Sequence, residues 1–316
     1  MKFHPAHIAK SSWPYLALLT AHLVWGVNFV AAKLTLTEIP AMSLAFSRFF
    51  IALLLLLPFL WVERKKIKVK LADLPLLFIA GSLTITLSIT LFYAGISRTT
   101  ATDASVLSLN VPILSVLIGW WFLKEKVYII NLVGIVFALV GAILVIGLPS
   151  ILVSGKPLSS ERLVGDLLIV LGGLSWVAGA ILTKKLLKEY SSLSLTAILF
   201  LVGTVSFSYP ALREYLADPQ WIYKVTYIGF TGLAYIVVAS SIAAFFLYEW
   251  GLHKAGIIKA NLFQYIEPLI ATTLAVFILS EDISYSFIIG SILIGLGVYW
   301  GTIGKKFHHH HRAHRH

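Results

Sequence analysis

ATDASVLSLNVPILSVLIGWWFLKEK (residues 101–126) and IIKANLFQYIEPLIATTLAVFILSED (residues 257–282) align with each other without a gap. Ala104, Pro112 and Glu125 of the first stretch recur as Ala260, Pro268 and Glu281 of the second. Outward from this pair, Gly95, Gly134 and Gly141 recur as Gly251, Gly290 and Gly297, again 156 positions on. Nearer the start of each copy, Trp25, Lys33 and Pro58 recur as Trp176, Lys184 and Pro210, at an offset of 151 or 152. The chain is therefore one unit duplicated, with a short insertion midway through the second copy. Five membrane-length segments separate equivalent points, and an odd number of crossings turns the second copy upside down relative to the first. Inverted repeats recur among secondary transporters, because they let one site open to either face in turn.

Hydrophobic residues make up 59% of the 316 and charged residues only 12%, too few to cover a soluble domain of this size. The apolar residues gather in runs of about 20, the length a helix needs to cross about 30 Å of hydrocarbon. Such runs lie near 13–33, 41–62, 74–95, 101–122, 127–147, 163–185, 193–212, 224–248, 257–279 and 283–303. Backbone groups in lipid must bond within their own segment, so runs of this length mean helices rather than strands. The predicted fold class is an all-α membrane protein with ten transmembrane helices in two inverted five-helix repeats. The predicted parts are an N-terminal segment 1–12, a first repeat 13–147, a linker 148–162 rich in Gly, Pro and Ser, a second repeat 163–303, and a His/Arg-rich tail 304–316.

The formal net charge of +11 invites a nucleic-acid partner, but its placement argues against one. With the N-terminus in the cytoplasm, inner segments hold eighteen Lys and Arg residues and outer ones six, leaving Arg48 within the second span. That bias is the positive-inside pattern; it predicts cytoplasmic termini and contact with membrane lipids. The first span continues through Asn28 to Lys33 without a small-residue cleavage site, so it reads as an uncleaved helix rather than a signal peptide. Cysteine is absent, which excludes disulfide and thiol chemistry. The cluster His308–His311 reads as an expression tag remnant or a disordered native tail rather than a metal site. No metal and no cofactor are expected.

Trp25-Gly26 followed by Asn28-Phe29, then Arg48-Phe49, then Tyr93-Ala94-Gly95-Ile96, resemble the EamA-type drug/metabolite transporters. So do the blocks running from Asn110-Val111-Pro112 to Glu125 and from Glu267-Pro268 to Glu281, each leading into a Gly-rich span. The resemblance covers about residues 13–303. It implies ten helices in two inverted halves around a central cavity, and export of amino acids or other small metabolites across the bacterial cytoplasmic membrane. It names no substrate, because one fold hosts many specificities.

Ser105, Ser108 and Pro112 share one face of the fourth helix, and Asn261, Gln264 and Pro268 hold the same positions in the ninth. A polar stripe in lipid is costly, so it should face the interior or a watery cavity; small polar residues also simply join packed helices. The two prolines predict matched helix bends, the usual sequence pointer to a transport site. Glu267 sits near the middle of its span, where an acid serves as proton carrier or ammonium partner, or else stabilises the proline bend. Trp25 and Trp176 are repeat mates that either face each other across a cavity, beside Asn28, or pack conventionally. Tyr93 and Tyr248 either anchor helix ends at the interface or gate a cavity mouth. Arg48, seven residues into its span, is expected to snorkel outward or pair structurally, with substrate contact as the alternative. His22 and Asn110 read as satisfied packing residues. Glu125 and Glu281 are expected to bond the amides of the next helix start. Glycines in the fifth and tenth spans allow close packing within a monomer or across a homodimer.

The function class that fits is a carrier for a small-molecule substrate. A passive channel is the alternative, and a lipid-modifying membrane enzyme a more distant one, since the chain has neither a paired-His metal motif nor a Gly-rich phosphate loop. Trp176→Ala or Gln264→Ala should then alter flux.

Overall fold

The computed structural model describes residues 12–63, 69–123, 128–145, 160–279 and 285–303, and every regular element among them is helical. In chain order these are α1 (Trp13–Thr35), α2 (Ala41–Glu63), α3 (Leu71–Ile96), α4 (Ala101–Leu107), α5 (Asn110–Leu123), α6 (Ile129–Val145) and α7 (Ser160–Leu186). There follow α8 (Ser192–Ala217), α9 (Trp221–Lys224), α10 (Tyr227–Ala255), α11 (Ile257–Leu262), α12 (Glu267–Leu279) and α13 (Tyr285–Ile303). Seven spans among the described residues are long and apolar enough to cross a membrane: α1, α2, α3, α7, α8, α10, and α11 with α12 taken together. Shorter apolar stretches lie at Ile129–Gly141 in α6 and Ile288–Gly297 in α13. Large apolar side chains such as Phe59, Trp61 and Phe277 stand exposed on the outer faces, where hydrocarbon rather than water would solvate them. The sequence-predicted roles of Glu125 and Glu281, most of the linker and the His-rich tail lie outside the described residues.

Within 101–122 and 257–279, which the sequence predicts as the fourth and ninth spans, one helix ends and another begins where bends were expected. α4 ends at Leu107 and α5 begins at Asn110, with Pro112 as its third residue. α11 ends at Leu262, a 3₁₀ turn covers Phe263–Ile266, and α12 begins at Glu267 with Pro268 second. Proline fits the first turn of a helix, where its missing N–H is not needed, whereas mid-helix it clashes with the carbonyl four residues back. Beginning a new helix avoids that clash. The carbonyl four residues before Pro112 belongs to Ser108, and it accepts the Gln264 Nε2 at 3.1 Å. The side chain four residues before one proline thus occupies the backbone oxygen four residues before the other.

Contacts also recur at the sequence offsets. Lys33 Nζ donates to the Ile96 and Thr99 carbonyls at 2.7 and 2.5 Å. Its mate Lys184 donates to the Leu252 and His253 carbonyls at 2.6 and 2.9 Å. Ile96 and Leu252 are 156 positions apart, so the two lysines reach one equivalent carbonyl near a helix end, and that of Leu252 also accepts the Gly256 amide at 3.1 Å. Glu38 accepts from the Thr226 and Gly229 amides at 2.8 and 3.1 Å and from the Thr226 hydroxyl at 2.7 Å. Glu189, 151 positions after Glu38, pairs with Lys70, 156 before Thr226, at 2.8 Å. Gly95 and Gly251 each receive an aliphatic side chain, Ile169 and Leu18, so close that an added Cβ would lie 2.8 and 2.5 Å from it. α3 and α10 each contain a π-helical segment, Ser82–Leu87 and Ile236–Ala243.

α7 meets α3 along Gly165, Gly172 and Gly179, spaced two turns apart. An added Cβ would strike Arg98, approach the Ser88 carbonyl and strike Thr84, respectively. Without water to drive helices together, this close approach supplies the dispersion contact. α2 and α8 pack along their length through Phe49 and Phe207, whose stacked rings lie 6.1 Å apart.

Candidate functional site

A cavity of ≈ 120 Å³ opens between α1, α2, α3, α7, α10 and the two helix restarts. That volume admits several waters or a small solute. Its lining comes from residues between 25 and 111 and from residues between 169 and 267.

Trp25 of α1 and Trp176 of α7 stand edge to face, centroids 5.5 Å apart, and Phe245 lies against both at 5.4 and 5.5 Å. The Trp25 Nε1 donates to the Ser240 carbonyl at 3.0 Å, inside the π segment of α10. This bond and the two neighbouring rings hold the indole as a wall of the cavity. Asn28, one turn along α1, lines the same space, and its Oδ1 is buried without a hydrogen-bond partner. Such an atom costs free energy unless water or a ligand reaches it. Ser108 and Gln264 line the cavity at the two restarts, joined by the bond already described.

Glu267 opens α12 and borders the cavity. Its Oε1 lies 2.6 Å from His22 Nδ1, and His22 Nε2 lies 3.0 Å from the Ala260 carbonyl. A carbonyl only accepts, so Nε2 carries a hydrogen. The short Nδ1–Oε1 contact needs one more proton, placed on either atom. Neutral imidazole with carboxylic acid and imidazolium with carboxylate both sum to zero charge. His22, read from sequence as a packing residue, is thus the partner of the cavity's carboxylate.

Arg48 meets one of its sequence-based expectations, structural pairing, and not the other. It does not snorkel outward: it is 1% exposed and lines the cavity. Its Nε donates to Ser241 Oγ at 2.9 Å and its Nη1 to Tyr93 OH at 3.0 Å, while the Phe49 ring lies 4.9 Å from the guanidinium carbon. Depth along α2 was legible, but the side of the helix was not, and α10 supplies the hydroxyls on the inward side. Tyr93 is fully buried as this arginine's acceptor and is not among the residues lining the cavity.

Three expected lining residues therefore lie elsewhere: Tyr93, Ser105 and Asn261. Ser105 donates to its own helix at the Thr102 carbonyl, 2.7 Å away. Asn261 accepts from Tyr248 OH at 2.7 Å and donates to Ser115 Oγ at 2.5 Å, which ties the two broken spans together. Asn110 donates to the Val170 carbonyl at 2.8 Å. Ser240 and Ser241 were missed, although adjacent serines inside an apolar span were the available signal.

The model of a family described as EamA-like transporters matches residues 12–147 and 163–302. The chain belongs to this family. Among EamA-like relatives, an uncharacterized transporter of Archaeoglobus fulgidus is 27% identical over 292 residues, covering 92% of this chain and 98% of its own. The uncharacterized transporter YoaV of Bacillus subtilis is 24% identical, covering 91% and 96%. The WAT1-related protein At5g13670 of Arabidopsis thaliana is 26% identical, covering 97% and 86%. A solved crystal structure shares the fold, with a TM-score of 0.75 at 16% identity over 94% of this chain and 99% of that one. A multi-pass membrane transporter is therefore the established class.

Proposed function

We propose that this protein is a secondary transporter that moves small polar metabolites, amino acids foremost, out of the cell across the bacterial cytoplasmic membrane. The two halves, 13–147 and 163–303, would each cross five times in opposite orientations, with both termini in the cytoplasm. The observation that carries this reading is the cavity, which draws its walls from both halves and lies where helices restart at Pro112 and Pro268. Interrupted helices at a repeat interface are where transporters hold their cargo. The doubled lysine caps and the two-part family match support the inverted duplication. Alternating access follows from that symmetry, since exchanging the conformations of the halves exposes one site to the opposite face.

Purified protein in liposomes should release preloaded amino acids with a rate that saturates. Trp176→Ala and Gln264→Ala should each lower that rate about tenfold or more, as expected when a wall or an anchoring polar contact of a transport site is lost. A rate that rises without limit with concentration would point to a channel instead. Reporter fusions that place the two termini on opposite sides would remove the inverted arrangement.

A further inference from the structure

Arg48 is a charge without a counter-charge. A guanidinium stays ionised and offers five N–H donors. Here it meets neutral oxygens only: Ser241 Oγ at 2.9 Å, Tyr93 OH at 3.0 Å, and Ser240 Oγ at a long 3.5 Å. Among the described residues no carboxylate lies within ion-pairing distance of it. The other charged residue of the cavity wall, Glu267, is committed to His22, and that pair sums to zero wherever its proton sits. The wall therefore carries a net charge of +1, held in a setting where an unpaired charge is costly.

We propose that Arg48 is the anion-binding residue of this cavity and that the cargo carries a carboxylate. Two of the five donors have no acceptor, and a carboxylate matches the guanidinium fork with two parallel bonds. One negative charge brings the wall to neutrality, whereas a phosphate dianion would leave an excess of −1. The rings of Trp25, Trp176 and Phe245 offer an apolar bed for the body of the molecule, and the unpartnered Asn28 Oδ1 offers a further acceptor for a donor on it. The carboxylate could belong to an amino acid or to a simple organic acid; the arrangement at Arg48 is the same for both. This inference deepens the transporter reading and rests on it for the word cargo, but the site is testable by binding alone.

The test is equilibrium dialysis of the full chain in detergent with three radiolabelled probes that share a phenyl ring: phenylacetate, L-phenylalanine and phenethylamine. Phenylacetate is expected to bind about tenfold tighter than phenethylamine, the usual scale for hydrogen bonds to a charged group. Arg48→Gln should weaken phenylacetate by about the same factor and leave phenethylamine unchanged, and Arg48→Lys should fall between, having the charge without the fork. L-phenylalanine binding alongside phenylacetate assigns the site to zwitterions; phenylacetate alone assigns it to simple acids. Equal binding of phenylacetate and phenethylamine, no binding of any probe, or phenylacetate affinity unaffected by Arg48→Gln overturns the proposal. Should Arg48→Gln not fold, the headgroup comparison on the wild-type protein decides. Carboxylate binding with no flux in liposomes leaves the site standing and removes the transporter reading. Saturable phenethylamine efflux without carboxylate binding does the reverse.

Discussion

The two stretches that match the family model, 12–147 and 163–302, agree in how they satisfy their backbones and disagree in the chemistry they turn toward the cavity. Lys33 and Lys184 reach one equivalent carbonyl, Glu38 and Glu189 reach equivalent positions across the fold, and Gly95 and Gly251 admit equivalent aliphatic side chains. The charged groups have no such mates. At the positions equivalent to His22 and Glu267 stand Gly173 and Val111, so closely packed that a Cβ on the glycine would lie 3.0 Å from the valine Cγ2. Opposite Arg48 the second stretch offers only Leu199 and Phe200. Helix ends in lipid must be satisfied whatever the protein carries, which keeps the caps in both stretches. Under the proposed transport role the cavity side chains would face a cargo, and a cargo without twofold symmetry asks for different groups on its two sides.

The largest effect should come from the unpaired half of this comparison. His22→Leu strands Glu267 in the interior and should lower stability by about 3–5 kcal/mol, the usual consequence of breaking a buried pair. Copying the other half, with His22→Gly and Glu267→Val together, should restore more than half of that loss in an SDS-unfolding titration. A double variant no more stable than the single one would mean the two halves differ here by packing and not by charge.

Next come the matched glycines. Gly95→Val and Gly251→Val should each destabilise by about 1–3 kcal/mol through overpacking, while Gly295→Val, with nothing within 4 Å of its site, should be neutral. Unequal losses at Gly95 and Gly251 would break the equivalence of the two helix crossings. Lys33→Met and Lys184→Met are expected to cost a similar amount to each other, about 1–2 kcal/mol for a partly exposed charged donor.

The smallest effect separates the two acidic mates. Hydrogen bonds from the Thr226 hydroxyl and amide, and from the Gly229 amide, hold the Glu38 carboxyl below the usual carboxylate range. A folded-state value below the unfolded one means the contribution is present above the unfolded value and fades as acid protonates the folded carboxylate. Glu38→Gln should therefore flatten the acid limb of a stability-versus-pH curve and change little at neutral pH. At the equivalent contact, Glu189 raises Lys70 instead, so its contribution should fade on the alkaline side. Thermal unfolding followed across pH distinguishes the two.

The restarts were legible because proline states its own constraint: Pro112 and Pro268 mark where a helix must begin or break. Trp25, Asn28, Trp176, Ser108, Gln264 and Glu267 could be nominated because spacing on one helix, or equivalence between copies, grouped them. His22 was rightly read as buried and satisfied, though its partner was not foreseen, and Arg48 pairs structurally without snorkelling outward. Counting residues from a helix end gives depth, but the side of the helix that faces inward depends on its rotation against its neighbours. Tyr93 and Asn261 were misjudged: each is spent on another polar side chain, Arg48 in one case and Tyr248 with Ser115 in the other.

By itself the sequence determined the helical class and the positions of interruption, because run length and proline chemistry are local quantities. Only the tertiary structure decided which polar groups meet. His22 and Glu267 are 245 positions apart, and their contact, like that of Arg48 with Ser241, arises from the rotation and crossing of helices. Those are fixed by packing between glycines and side chains distant in the chain, which no spacing along one helix encodes.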